Sequence, residues 1–158
     1  MDKLWAPWRI KYIRNIKKKG CIFCSARAGK NNYVVFKTEH SIAMLNIYPY
    51  NNGHILVSPL RHVRSLEQLK DIEALDLFKA IKRAQKLLAK TLRPQGYNIG
   101  INLSRSAGAG ITGHLHVHIV PRWVGDTNFM PALAGAKVIS QSLEELCKQL
   151  KNAQSKTD

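Results

Sequence analysis

The hydrophobic pattern of the chain changes period several times, and each change predicts an element. From Asp71 to about Leu92, Ile72, Leu75, Phe78, Ile81, Leu88 and Leu92 fall on one helical stripe. They predict a long amphipathic helix that Pro94 and Gly96 end. Upstream, residues 33–37 and 41–47 read as short strands around a turn at Thr38-Glu39-His40. Asn51-Asn52-Gly53 signals another turn, and residues 53–58 read as a buried strand stopped by Pro59. Ser65 with Gln68 suggests a capping box for a short helical turn. Downstream, residues 97–103 and 114–120 read as strands around a small-residue loop at 104–113. A last helix is predicted from near Ser140 or Ser142, where Glu145 can close a box on Ser142. Strands in sequence with helices set apart indicate an α+β class, with about five antiparallel strands, one long helix and a C-terminal helix.

Within 114–120 the alternation has an unusual composition. His114, His116 and His118 take every second position, with Leu115, Val117 and Ile119 between them. On a strand, such a period puts all three imidazoles on one face and the aliphatics in the core. Three readings follow. The rings are solvated structural residues, or they build a metal site, or one neutral imidazole attacks an electrophile while its neighbours orient it. The triplet alone does not choose between the last two.

Composition bounds the remainder. At 158 residues, 45% hydrophobic and 22% charged, the chain is ordinary for one globular domain. The expectation is one domain over 1–158, with 1–19 as a basic arm anchored by Trp5, Trp8 and Tyr12, and 152–158 as a polar tail. No apolar run reaches the length of a membrane span and the start has no apolar signal core, so a cytoplasmic protein with no membrane partner is expected. Lys+Arg number 25 against 10 Asp+Glu, a net charge of +15 that favours anionic partners. Lys79, Lys82, Arg83, Lys86 and Lys90 fit the wet face of the long helix. No pair of carboxylates is placed to act as catalytic machinery. A nucleic-acid partner is not expected, because no aromatic platform for bases interleaves with the cations.

Cys21, Cys24 and Cys147 are an odd count, against a disulfide framework. Cys21-Ile22-Phe23-Cys24 has the gap of a zinc half-site and also of a redox motif. A redox motif would open a helix after a buried strand. This one follows a lysine-rich loop and Gly20, which favours zinc. Cys147 reads as a small apolar packing residue. Ser106-Ala107-Gly108-Ala109-Gly110, just before the triplet, is a candidate phosphate nest, with Arg122 a nearby cation.

His114-Leu115-His116-Val117-His118-Ile119-Val120 resembles the signature of the histidine triad (HIT) superfamily of nucleotidyl hydrolases and transferases. Asn46-Ile47-Tyr48-Pro49 and the segment from Gly53 to His62 are similar to the family's nucleotide-pocket segment, and residues 20–123 follow its order of elements. The resemblance implies an antiparallel sheet with a long helix, in a homodimer. It implies that His116 attacks the α-phosphate to form a nucleotidyl-histidine, that His118 contacts phosphate and handles the leaving group, and that His54 is the further pocket histidine. Asn46 matches the residue facing the ribose, Asn102 the polar residue on the preceding strand, and Ala109 and Gly110 the phosphate-contacting loop. Metal-bearing members resemble this chain at Cys21, Cys24, His62 and His114, a closed set that implies a structural zinc; no organic cofactor is implied.

Two departures refine the resemblance. Gly110-Ile111 stands where many hydrolase members carry Gln-Ser or Gln-Thr, and Asn102 sits one residue further from the triplet than usual. Leu4-Trp5-Ala6-Pro7 and the run from Pro121 to Pro131 look closer to a bacterial branch that includes diadenosine tetraphosphate phosphorylases. The implied substrate is a dinucleoside polyphosphate or related AMP derivative, with water or phosphate as acceptor. The alternatives are a non-catalytic nucleotide-binding module and, behind it, an RNA-binding protein.

Overall fold

In the computed structural model, residues 20–127 and 139–154 are described. The expected arm at 1–19, the run from 128 to 138 and the last four residues of the expected tail lie outside them. The element order is α1 (Ile22–Arg27), β1 (Val34–Lys37), β2 (Ser41–Leu45), β3 (Ile55–Pro59), a 3-10 turn (Leu66–Gln68), α2 (Asp71–Leu92), β4 (Gly96–Ile101), β5 (Val117–Arg122) and α3 (Leu143–Gln154). The five strands form one sheet in the order β1-β2-β3-β5-β4, each neighbour antiparallel. This is the α+β architecture expected from the pattern.

The central strands are buried on both faces, which is why they read as unbroken apolar runs. Ala43, Leu45, Ile55, Val57, Val117 and Ile119 face α2 and α3 in the larger core. Ile42, Met44 and Leu56 face the other way, into a smaller core with Phe23 and Ala26 of α1. His118 pairs with Leu56 across the ladder and so stands on this second face.

α2 has the predicted bounds, but its inward face differs from the predicted stripe. Leu77, Ala80, Ile81, Ala84, Leu87 and Leu88 are buried, whereas Ile72, Leu75 and Phe78 are more than half exposed. Small Ala80 and Ala84, both fully buried, let the helix sit close to the sheet, and that approach selects the face. Arg93, in the left-handed conformation before Pro94, ends the helix. Glu73 joins its start to the loop before it. One oxygen accepts the Lys70 N–H at 2.9 Å, and the carboxylate takes both Arg61 Nε and Nη2, at 2.7 and 2.6 Å.

Three further expectations are corrected. Ser65 makes no side-chain cap, and Gln68 Oε1 instead accepts the N–H of Arg64. α3 continues through Gln154, whose side-chain amide donates to Val35 O at 2.9 Å, so helix replaces the polar tail expected from residue 152. The ladder of β5 begins at Val117, leaving His114, Leu115 and His116 ahead of it. By the register of β3 with β5, Ser58 and then Pro59 stand opposite this stretch, and Pro59 has no N–H to give it a ladder bond. Single bonds hold that segment instead: Leu115 N–H to Val63 O, and Ser58 Oγ–H to Leu115 O. Ser142 does cap α3, accepting the Glu145 N–H at 3.2 Å.

Candidate active site and metal cluster

Backbone donors set the protonation of the outer histidine pair. The Tyr50 N–H donates to His54 Nδ1 at 3.0 Å, and the Asn46 amide approaches the same nitrogen at 3.3 Å. With Nδ1 accepting, the ring proton of neutral His54 sits on Nε2, 2.9 Å from His118 Nδ1. His118 then carries its own proton on Nε2, a buried atom without a hydrogen-bond partner among the described residues. Burial, reinforced by the neighbouring imidazoles, pushes His54 down to about 3 and His118 down to about 4. Both rings are therefore neutral near pH 7, and His118 presents a fixed N–H donor to the space before it.

His116 is set by a carbonyl. Its Nδ1 lies 2.8 Å from His114 O, which can only accept, so Nδ1 holds the proton and Nε2 carries a lone pair. Burial holds this ring below the usual histidine range, while the His114 carbonyl pulls the other way. Its ring centroid lies 4.9 Å from that of His118 and 5.2 Å from that of Phe23 on α1. A neutral imidazole with a free Nε2 beside an unpartnered N–H donor is a nucleophile next to an oxyanion contact.

The first histidine turns to other work. His114 Nε2 donates to Pro59 O at 2.9 Å, leaving Nδ1 as a lone pair 3.1 Å from Cys21 Sγ and 3.8 Å from Cys24 Sγ. His62 Nδ1 lies 3.3 Å from Cys24 Sγ. The four ligand atoms all fall within 4.8 Å of one another and could hold a metal ion. The three distances of 3.1, 3.3 and 3.8 Å are near the edges of a tetrahedron with bonds of about 2.0–2.3 Å, and the Pro59 carbonyl orients His114 as an outer-shell acceptor should. The residues fit a closed four-ligand site.

Cys21 caps the start of α1, so the helix-opening feature of a redox motif is present. No strand precedes it among the described residues, however, and two imidazoles face the thiols. Phe23, between the cysteines, packs its ring against both His114 and His116. The helix start that brings the two cysteines of the cluster together thus also packs against the candidate nucleophile.

The other sequence candidates divide. Asn46 sits beside His54, but its Oδ1 accepts the Tyr48 N–H, so its side chain is engaged with its own loop. Asn102 follows β4 half-buried, with no hydrogen bond to the histidines. In the proposed nest, the N–H groups of Gly108 and Ala109 already donate to Arg105 O and Ser104 O. Ala109 is buried, and Gly110 is the exposed end of that turn. Arg122, the cation expected near the nest, is engaged elsewhere: it donates Nε and Nη2 to Asp126 at 2.6 and 2.9 Å, and Nη1 to Asn98 Oδ1 at 2.7 Å. Sequence reasoning missed Tyr50, Asn51 and Phe23. An aromatic residue in a turn beside a pocket histidine was the available signal for Tyr50.

An antiparallel sheet that carries a row of largely buried imidazoles beside a Cys₂His₂ cluster defines a histidine-centred α+β domain. The sequence profile of the HIT domain matches residues 27–124, and the chain belongs to the HIT family. It is 38% identical over 156 residues to the AP-4-A phosphorylase of Mycobacterium tuberculosis, covering 92% of this chain and 80% of that one. Its fold is similar to a zinc-bound histidine triad family protein from Mycobacterium smegmatis, with a TM-score of 0.71, 26% identity, and coverage of 88% and 96% of the two chains. A hypothetical histidine triad nucleotide-binding protein from Sulfolobus tokodaii also superposes with a TM-score of 0.71, at 28% identity over 86% of this chain and 93% of that one.

Proposed function

We propose that this protein cleaves a dinucleoside polyphosphate such as diadenosine tetraphosphate, or a related AMP derivative, at the α-phosphate. His116 Nε2 attacks the α-phosphorus, and the bond to the leaving polyphosphate oxygen breaks. The nucleotidyl group rests on His116 until an acceptor oxygen takes it. The observation that carries this reading is the contact at Nδ1 of two adjacent rings: a carbonyl at His116, which leaves Nε2 a lone pair, and the His54 ring at His118, which leaves Nε2 an N–H. His118 donates to the phosphate oxygens, and His54 keeps it in that tautomer. Gly110 is the nest residue left to meet phosphate, and Asn46 and Asn102 flank the site where the ribose would lie. The mycobacterial phosphorylase supports phosphate as the acceptor.

Diadenosine tetraphosphate supplied with and without phosphate tests the reaction. ADP plus ATP formed only with phosphate is the expected result. AMP formed without phosphate assigns a hydrolase instead, and no turnover under either condition defeats the proposal.

Three companion readings belong with it. Zinc occupies Cys21, Cys24, His62 and His114: thiolate and imidazole donors suit it, and a closed site gives it a structural role. Two copies pair through the outer edge of β4 and the neighbouring side of α2, where Ile99, Leu75 and Phe78 stand 44%, 56% and 67% exposed. The protein works in the cytoplasm, whose reducing conditions keep the two metal-facing thiols available.

A further inference from the structure

The row of rings does not end at the histidines. Tyr50 lies over the outer pair, its ring centroid 4.8 Å from His54 and 5.8 Å from His118, and it stacks on His118 at an interplanar angle of 18°. Tyr50 is 41% exposed, so part of its ring remains open to solvent. Phe23, His116, His118 and Tyr50 thus succeed one another from the buried α1 contact to the surface. Ring contacts tie Tyr50 to His54 and His118 but not to His116, which puts it beyond His118 as seen from the nucleophile.

The turn that carries this ring is built to hold it. Tyr50 is tied through its own N–H to His54, and the His54 N–H returns to Asn51 O at 3.2 Å. Asn51 is buried and donates its side-chain amide to Pro121 O at 3.0 Å and to Asp126 Oδ2 at 2.7 Å. Gly53 takes φ +77°, and a Cβ there would stand 2.6 Å from Leu92 and 3.0 Å from Pro121. Because so many bonds lock the turn, a flat partner meets a ring already in place, with little ordering cost.

We propose that Tyr50 is a stacking platform for the distal nucleobase of a dinucleoside polyphosphate, the base on the leaving half of the molecule. The proposal rests on the reading of the site given above. In-line attack by His116 sends the leaving chain away from that ring, past the His118 donor and toward the surface where Tyr50 stands. A base at the end of that chain has an exposed π face to meet. Stacking asks for an aromatic base but does not choose among bases, so the platform selects dinucleoside polyphosphates as a class over nucleotides that end in bare phosphate.

The test is binding, measured in the turnover-blocked His116→Asn protein with two ligands that differ only by the distal nucleoside: diadenosine tetraphosphate and adenosine 5′-tetraphosphate. Adding Tyr50→Ala is expected to weaken the dinucleoside by about 5- to 100-fold, the range for loss of one base–aromatic stack. Adenosine tetraphosphate should change by less than about twofold, and Tyr50→Phe should restore the dinucleoside to within about twofold. Equal weakening of both ligands would make the ring a cover for the histidine pair and overturn the proposal. An unchanged dinucleoside affinity would overturn it as well. Failure of the proteins with intact Tyr50 to bind either ligand would instead count against the underlying reading of the site.

Discussion

The two ends of the segment from His114 to His118 carry the same side chain four residues apart and do opposite things. At the inner end, a carbonyl accepts the Nε2–H of His114, and Nδ1 faces two thiols. At the outer end, His54 donates to Nδ1 of His118 and leaves Nε2 as a buried donor without a partner among the described residues. Between them, His116 gives Nδ1 to a carbonyl and keeps Nε2 as a lone pair. One residue type thus takes three settings, which we read as a metal ligand, a nucleophile and a phosphate contact. The neighbour that occupies the other nitrogen decides which. On the proposed reading the inner end serves stability and the outer end chemistry, so each should break without the other.

The largest separation comes from the nucleophile. His116→Asn is expected to lower kcat by about 10⁴-fold or more while metal content and melting temperature stay near wild type. A variant that keeps a tenth of the wild-type rate would remove His116 from the attacking role. At the inner end the order reverses. Chelation, or Cys24→Ser, should lower the melting temperature by roughly 10 °C, since a closed metal site contributes folding energy. Turnover should fail only as the fold loosens. Immediate loss of activity in a chain that still melts at the wild-type temperature would contradict a structural metal.

A finer cut uses pH. The folded pKa of His54 is about 3, below its ordinary value of 6.5, so between these the unfolded chain binds more protons. Its contribution to stability is complete above pH 6.5 and is lost as pH falls through that window. Each unit removes at most about 1.4 kcal/mol. Comparing urea unfolding of wild type and His54→Gln at pH 7 and 5 isolates this ring from the metal ligands. Stability that falls equally in both proteins would mean that the pair is not held neutral. For activity, the same burial predicts an acid limb below the free histidine range. The smallest effect belongs to a residue remote from both ends. Ser142→Ala removes the cap of α3 and should cost about 1 kcal/mol, with kcat unchanged.

The sequence made the scaffold and the histidine alternation legible for a physical reason: period survives translation into structure. The bounds of α2, the five strands and the Cys21–Cys24 gap are local patterns or spacings, whereas His62 and His114 join the cysteines only through the family resemblance. What could not be read from period was the face a helix chooses. Ile72, Leu75 and Phe78 outweigh Ala80 and Ala84 on any hydrophobic scale, yet the alanines are buried because the sheet needs a close approach there. α1, six residues long, is too short to show a helical repeat. Arg122, the cation beside the triplet in sequence, is paired with Asp126 four residues on. The protonation of the three imidazoles depends on carbonyls and amides brought from elsewhere in the chain, and no local pattern contains them.

The most direct measurement is capture of the intermediate. The protein is mixed with radiolabelled diadenosine tetraphosphate, quenched in alkali, digested and sequenced by mass spectrometry. An acid-labile, alkali-stable adenylyl group on the peptide bearing His116, and on that residue, is the predicted result. Label on another residue, or turnover with no covalent adenylate at any time point, would contradict attack by His116.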